Sequence, residues 1–137
     1  MTDPSLAYAL IAFVALTMAH VFVLVLYRTS LILTGTPVTE FTPSRDAKPV
    51  DLIGRISGSH ANCIENLPLF AAVLLAHNLA NSEADITEMA WYYVYARCGQ
   101  ALAHCTSVSF AAITARFSCF FTSYLLLASM AYAILSP

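Results

Sequence analysis

The sequence predicts an all-α fold, an integral membrane four-helix bundle. The first observation is composition: 59% of the 137 residues are apolar, only 10% are charged, and the mean hydropathy is +0.72. Soluble domains carry about 25% charged residues, so this chain has too little charge to solvate a globule of its size. The second observation is a series of long stretches with few charged residues, and about 20 such residues cross a bilayer.

The first helix is expected over residues 5–34. Residues 4–27 contain no Asp, Glu, Lys or Arg, and the flank before them carries no positive charge, unlike a signal peptide. Gly35 and Pro37 are expected to end this helix.

The remaining helices follow a polar loop. Residues 35–51 hold three prolines and alternating charges, which is typical of a water-exposed loop. A second helix is expected over 52–80, a third over 86–106 and a fourth over 110–135, all within one transmembrane domain of residues 1–137. No Pro or Gly marks the turn between the last two helices, which we expect near residues 106–109.

The charges are distributed unequally between the two ends of this bundle. Four acidic residues fall at one end: Asp3, Glu83, Asp85 and Glu88. All six basic residues fall towards the other end: Arg28, Arg45, Lys48, Arg55, Arg97 and Arg116. The positive-inside rule then predicts a multi-pass protein with the first loop in the cytoplasm and both termini on the opposite side. A net charge of −2 leaves no basic surface for nucleic acid.

The second helix carries an unusual polar face. Steps of three and four residues place five polar side chains on it: Arg55, Ser59, Asn62, Glu65 and Asn66. A charge at the centre of a membrane helix costs about 2.5–3.5 kcal/mol, so such residues should have partners and a purpose. The alternative is that the face only holds helices together.

The last two helices supply opposite charge. Arg97, Gln100 and His104 share a helix face, and Arg116 begins the fourth helix. With Arg55 included, three arginines meet one glutamate at membrane depth. This excess of cations suits an anionic ligand, because arginine binds carboxylates bidentately and can stabilise a thiolate.

The remaining histidines and the cysteines are expected to be structural. His20 and His77 stand alone at predicted core or interface positions, and no spacing typical of a metal site is present. The cysteines all lie at predicted membrane depth, where small buried thiols are expected rather than disulfides: Cys63, Cys98, Cys105 and Cys119.

One motif resembles a known family. The spacing of His60, Asn62, Glu65, Pro68 and Phe70 is similar to the pattern R-A-H-x-N-x-x-E-N-x-P-x-F in helix 2 of the membrane-associated proteins in eicosanoid and glutathione metabolism, the MAPEG family. The stretch from Arg97 to Tyr124 resembles a bacterial branch of that family, which implies a bacterial inner membrane.

The resemblance implies a trimer that binds glutathione between subunits and acts on lipophilic small molecules that enter from the membrane lipids. The activity would be that of a transferase or peroxidase towards lipophilic electrophiles or hydroperoxides. Arg116 and His104 are the candidate catalytic residues. The candidate glutathione-binding residues are Arg55, His60, Asn62, Glu65, Arg97 and Gln100, with Glu65 meeting the α-amino group and Arg97 pairing with Glu65 or a glutathione carboxylate.

The sequence departs from the family pattern in three places, one of which is the loop after Gly35, where the basic residue often found in the family is missing. The arginine two residues before His60 is Gly58 here, for which Arg55 substitutes only in part, and the third-helix tyrosine of the eicosanoid enzymes is His104. The alternative function is therefore a non-catalytic trimer of the same fold, serving as a structural or interaction subunit of a larger membrane complex.

Two other classes of small four-helix membrane protein do not fit the sequence. A proton-coupled exporter would need an acid in the first helix, and a thiol oxidoreductase would need a C-x-x-C pair; the sequence has neither.

Overall fold

Four α-helices form the part of the protein that the structure describes. The computed structural model describes residues 4–35, 37 and 52–136. The helices within these ranges are α1 (Pro4–Leu33), α2 (Leu52–Leu79), α3 (Thr87–Thr106) and α4 (Phe110–Leu135). The predicted all-α four-helix fold is confirmed. The water-exposed loop expected over 35–51, with Arg45 and Lys48, lies almost wholly outside the described residues, as does Asp3.

Local hydrogen bonds explain where α2 ends. Asn81 adopts a positive φ of 47°, and the backbone N–H of Ser82 donates to the His77 carbonyl at 3.1 Å. This left-handed residue with a six-to-one hydrogen bond is the Schellman pattern, which satisfies carbonyls left open at a helix end. The His77 ring also bonds through Nε2 to the Ala84 carbonyl at 3.0 Å, so the short connection to α3 folds back onto α2.

Serines rather than glycine or proline make the turn between α3 and α4. Ser109 is the N-cap of α4, and its hydroxyl accepts a hydrogen bond from the Ala112 backbone N–H at 3.3 Å. The Ser107 hydroxyl accepts from the Ser109 backbone N–H at 2.9 Å. A serine cap satisfies one of the free N–H groups at a helix start, so the turn needs no special backbone conformation.

The outer surface of the bundle is strongly apolar. Among the described residues, α1 and α4 are long and apolar enough to cross a membrane, with mean hydropathies of 2.6 and 1.6. Many large apolar side chains point outward, including Phe22, Phe110, Phe117 and Tyr132. Soluble monomers rarely expose apolar surface on this scale, so lipid is the expected solvent of this surface.

An aromatic cluster fills the core towards the chain termini. Phe70 and Tyr93 stack at 4.4 Å between ring centroids, and Phe13 meets both rings edge-on at 6.1 and 5.7 Å. The three side chains come from α2, α3 and α1 and are almost wholly buried. We call the part of the bundle packed around Phe13, Phe70 and Tyr93 the aromatic half.

Candidate functional site

The antiparallel helix order brings the predicted site residues to one half of the bundle. They lie at the beginning of α2, the end of α3 and the beginning of α4, beyond the aromatic cluster. We call this region the polar half; its members are Arg55, His60, Asn62, Glu65, Arg97, Gln100, His104 and Arg116.

Arg97 is the most deeply buried member of the polar half and lies where the polar half meets the aromatic cluster. Its side chain is 1% exposed and lies with its guanidinium carbon 5.6 Å from the centre of the Phe13 ring. Nη1 donates to Gln100 Oε1, while Nη2 donates to the side-chain oxygen of Asn62 and to its backbone carbonyl at 2.9 Å. The structure thus joins three predicted residues in one hydrogen-bonded group. Nε of Arg97 is buried and has no hydrogen-bond partner among the described residues.

Glu65 does not take part in this group. It is exposed on the outside of the single subunit, and in the described part of the chain it forms no ion pair with Arg97 or any other residue. The ion pair expected between these two residues is therefore absent within the subunit, because Asn62 and Gln100 occupy the Nη groups of Arg97. A carboxylate at membrane depth is costly without a partner, so the exposed position of Glu65 is the feature of this site that most needs an explanation.

Arg55 connects the two helices that frame the site. Its Nε donates to the backbone carbonyl of Cys105 at 3.1 Å, close to the end of α3 where carbonyls lack helical partners. A cation near a helix C-terminus also interacts favourably with the helix dipole. Arg55 thereby fixes the beginning of α2 against the last turn of α3, next to His104.

His104 packs directly on Gly58. A Cβ atom added at Gly58 would lie 3.1 Å from His104 Nε2 and 3.4 Å from Cε1, so the edge of the imidazole rests where any other residue would place its side chain. Arg116 of α4 and His20 of α1 are within electrostatic reach of this ring. Arg116 itself is half-buried.

A buried serine–histidine pair accompanies these residues. His20 Nδ1 lies 2.7 Å from the Leu16 carbonyl, so Nδ1 carries the proton and donates, and Nε2 is free to accept from the Ser59 hydroxyl at 3.0 Å. His20 is thus a hydrogen-bonded core residue that ties α1 to α2. His60 is half-buried beside it, and its Nδ1 has no hydrogen-bond partner in the described residues.

The sequence profile of the MAPEG family matches residues 6–136, nearly the whole chain. The chain belongs to the MAPEG family. No curated protein and no solved structure matches the chain significantly. Membership confirms the resemblance carried by the helix-2 motif, and it confirms the predicted fold class, because the MAPEG fold is a membrane bundle of four helices. The family includes glutathione-dependent transferases and peroxidases as well as non-catalytic members.

Within this MAPEG protein, two of the departures from the family pattern contact each other. Gly58 and His104 were separate differences in the sequence, but the structure places the His104 ring over the Gly58 backbone. This contact and the His20–Ser59 hydrogen bond were both missed by sequence reasoning, since each joins residues far apart in the chain. The one available signal was that Ser59 shares the polar face of α2.

The described part of this MAPEG protein holds free cysteine thiols and no cluster of metal-binding side chains. No group of three or more His, Cys, Asp or Glu side chains there is arranged to hold a metal ion. All four cysteines are free thiols. The polar half presents arginine, histidine, amide and carboxylate groups.

Proposed function

We propose that the protein is a glutathione-dependent membrane enzyme, a transferase or peroxidase for lipophilic electrophiles or hydroperoxides. The observation that supports this most strongly is the unmatched charge of the polar half. Glu65 is exposed without an ion-pair partner in the described residues, and Arg116 lies half-buried on a different helix. Charged groups at membrane depth are retained when they bind something.

The residues fit glutathione, which carries one ammonium group, two carboxylates and a thiol. Glu65 supplies the one carboxylate for the ammonium group. Arg55 and Arg116 supply guanidinium groups, which bind carboxylates or stabilise a thiolate.

In this proposal Arg97 positions a binding residue, whereas Asn62 and Glu65 bind the ligand. Both Nη groups of Arg97 are engaged by Asn62 and Gln100, so we assign Arg97 the role of holding Asn62 in place. Asn62 and Glu65, one helical turn apart, would then bind the peptide backbone of glutathione. When bound, glutathione supplies the nucleophilic thiol, and Arg116 stabilises negative charge on its sulfur. The apolar outer surface of α1 and α4 gives a lipophilic substrate access from the membrane.

A second copy of the chain completes the site in this proposal. Glu65 faces outward from its own subunit, which supports self-association with that face of α2 covered by a neighbour. We propose the homotrimer expected of the family, with the polar half on the cytoplasmic side and both termini opposite.

Calorimetric titration of glutathione into the detergent-purified protein tests this function. Glu65→Gln and Arg116→Ala should each weaken binding about tenfold or more, since a hydrogen bond to a charged group contributes about 1.5–3 kcal/mol. Two matched variants at exposed positions, Glu83→Gln and Arg28→Ala, should bind as the unmodified protein does.

The non-catalytic alternative has one observation in its favour. Gly58 removes a cation that the family motif places on α2, and the His104 ring fills the space. In that case the protein would form a stable oligomer that binds no glutathione at millimolar concentration, and Glu65→Gln would impair assembly rather than ligand binding.

A further inference from the structure

We propose that the Gly58–His104 contact makes His104 the proton acceptor for the thiol of bound glutathione, with Gly58 as its positioning residue. This inference rests on the proposed function and assigns the roles of two residues within it. It explains why a glycine stands near the beginning of α2 and why an imidazole, rather than another side chain, packs on it.

Gly58 is costly where it stands. A glycine inside a helix is about 1 kcal/mol less favourable than alanine, so its presence calls for a close contact or a special backbone conformation. Gly58 lies within the regular helix α2, where no special conformation is required. The close contact is the edge of the His104 ring, 3.1 Å from the position of a Cβ atom.

The position of His104 is fixed from several sides. Arg55 holds the carbonyl of the next residue, Cys105, which sets the last turn of α3 against α2. Because Nε2 and Cε1 face Gly58, Nδ1 is the ring nitrogen that lies farther from α2. No hydrogen bond to either ring nitrogen is found within the described residues. The imidazole is therefore held by packing and keeps its proton-accepting capacity.

The cations near His104 disfavour a positive charge on its ring, so a proton transfer to His104 depends on the thiolate that forms beside it in the same step. The titratable or charged groups facing it from the other helices are His20 of α1, Arg55 of α2 and Arg116 of α4. His20 is engaged by Leu16 and Ser59, and arginine cannot accept a proton at neutral pH. In the proposed step the thiol S–H bond breaks, Nδ1 of His104 takes the proton, and the electron pair stays on sulfur, where Arg116 stabilises it.

The test combines two measurements on the whole protein in detergent, neither of which is turnover. The ultraviolet absorbance of the thiolate reports deprotonation of bound glutathione. Calorimetry in buffers of different ionisation enthalpy reports whether the proton leaves the protein. We expect the unmodified protein to show thiolate absorbance with little net proton release, because His104 keeps the proton. His104→Gln should lose most of the thiolate, or should release the proton to solvent.

Gly58→Ala tests the positioning role. The new Cβ atom would push the His104 ring away by a few tenths of an ångström. Misplacing a reacting group by 1 Å can cost about 100-fold in rate, so we expect conjugation to slow about tenfold and the thiolate signal to fall. Gly99→Ala is the matched control, because its Cβ atom would meet Cys119 Sγ at 3.3 Å, away from His104. Gly99→Ala should leave the conjugation rate and the thiolate absorbance unchanged.

The double variant Gly58→Ala/His104→Gln makes the coupling explicit. If Gly58 acts only through His104, the double variant should be no worse than His104→Gln alone. Three outcomes would overturn the inference while leaving glutathione binding intact. The first is that the losses of the two single variants add fully in the double variant, and the second is that Gly58→Ala has the same effect as Gly99→Ala. The third is that His104→Gln keeps the full thiolate absorbance without releasing a proton. No glutathione binding by the unmodified protein would instead contradict the proposed function, and this inference with it.

Discussion

The two halves of the bundle differ in how far one subunit provides contacts for their side chains. In the aromatic half, Phe13, Phe70 and Tyr93 pack against one another within a single subunit and are almost wholly buried. In the polar half, the same subunit leaves Glu65 exposed and Arg116 half-buried. Arg97 lies at the boundary, packed over Phe13 on one side and bonded to Asn62 on the other.

This difference separates stability from function. Closely packed aromatic side chains contact one another within the subunit, so we expect the aromatic half to contribute most to the stability of the subunit fold. Charged groups without partners are unfavourable in a membrane and persist where they bind something. We therefore expect variants in the aromatic half to change unfolding and variants in the polar half to change ligand binding, with Arg97 affecting both.

The largest effect on stability should come from Phe70→Ala. Removing a fully buried phenylalanine costs about 3–5 kcal/mol because a cavity remains where the ring stacked on Tyr93. Unfolding in detergent, followed by circular dichroism, measures the loss. The adjacent Leu69 is 52% exposed, so Leu69→Ala should change stability far less. Equal losses for the two variants would mean that the aromatic half is not the stable core.

Arg97→Met should have the next largest effect. It leaves the oxygens of Asn62 and Gln100 without their donor, and hydrogen bonds to a charged group contribute about 1.5–3 kcal/mol. Glutathione binding should weaken as well, because Asn62 loses its support. Arg28→Met, at an exposed position, is the control. If Arg97→Met changed neither the stability nor the glutathione binding, the claim that Arg97 contributes to both would be wrong.

Ser59→Ala should have a moderate effect. It deletes the hydrogen bond to His20 that ties α2 to α1, and a typical hydrogen bond contributes about 1 kcal/mol. The midpoint of detergent unfolding should fall relative to Ser129→Ala, which alters an exposed serine of α4. An unchanged midpoint would show that the pair contributes nothing to packing.

Tyr93→Phe should have the smallest effect. The Tyr93 hydroxyl is buried without a hydrogen-bond partner in the described residues, so its removal should be neutral or slightly stabilising, within about 1 kcal/mol. The stacked ring is retained. A clear destabilisation would mean that the hydroxyl is bonded by a group contributed from elsewhere, such as a neighbouring subunit.

The sequence predicted the fold well for a physical reason. Long stretches with few charged residues and basic residues gathered at one end are properties of the chain alone, and they define a four-helix membrane bundle. The turn before Phe110 was harder to place, because its signal is the capping hydroxyl of Ser109 rather than glycine or proline.

The site was predictable only in part. Helical spacing placed Asn62 and Glu65 on the same helix, but it could not show that Arg97 would bond Asn62 and leave Glu65 outside. Contacts between helices depend on how each helix is rotated about its axis and packed on its neighbours, and residue spacing within one helix does not determine either. The Gly58–His104 contact is the clearest example, since two separate departures from the family motif meet at one point in space.

Native mass spectrometry of the detergent-purified protein with added glutathione tests the central claim most directly. That claim is that the charged groups of the polar half find their partners in neighbouring subunits and in bound glutathione. We predict a trimer that carries up to one glutathione per subunit, with the bound ligand lost in Arg116→Ala and retained in Arg28→Ala. A monomer, or a trimer that carries no glutathione under the same conditions, would contradict it.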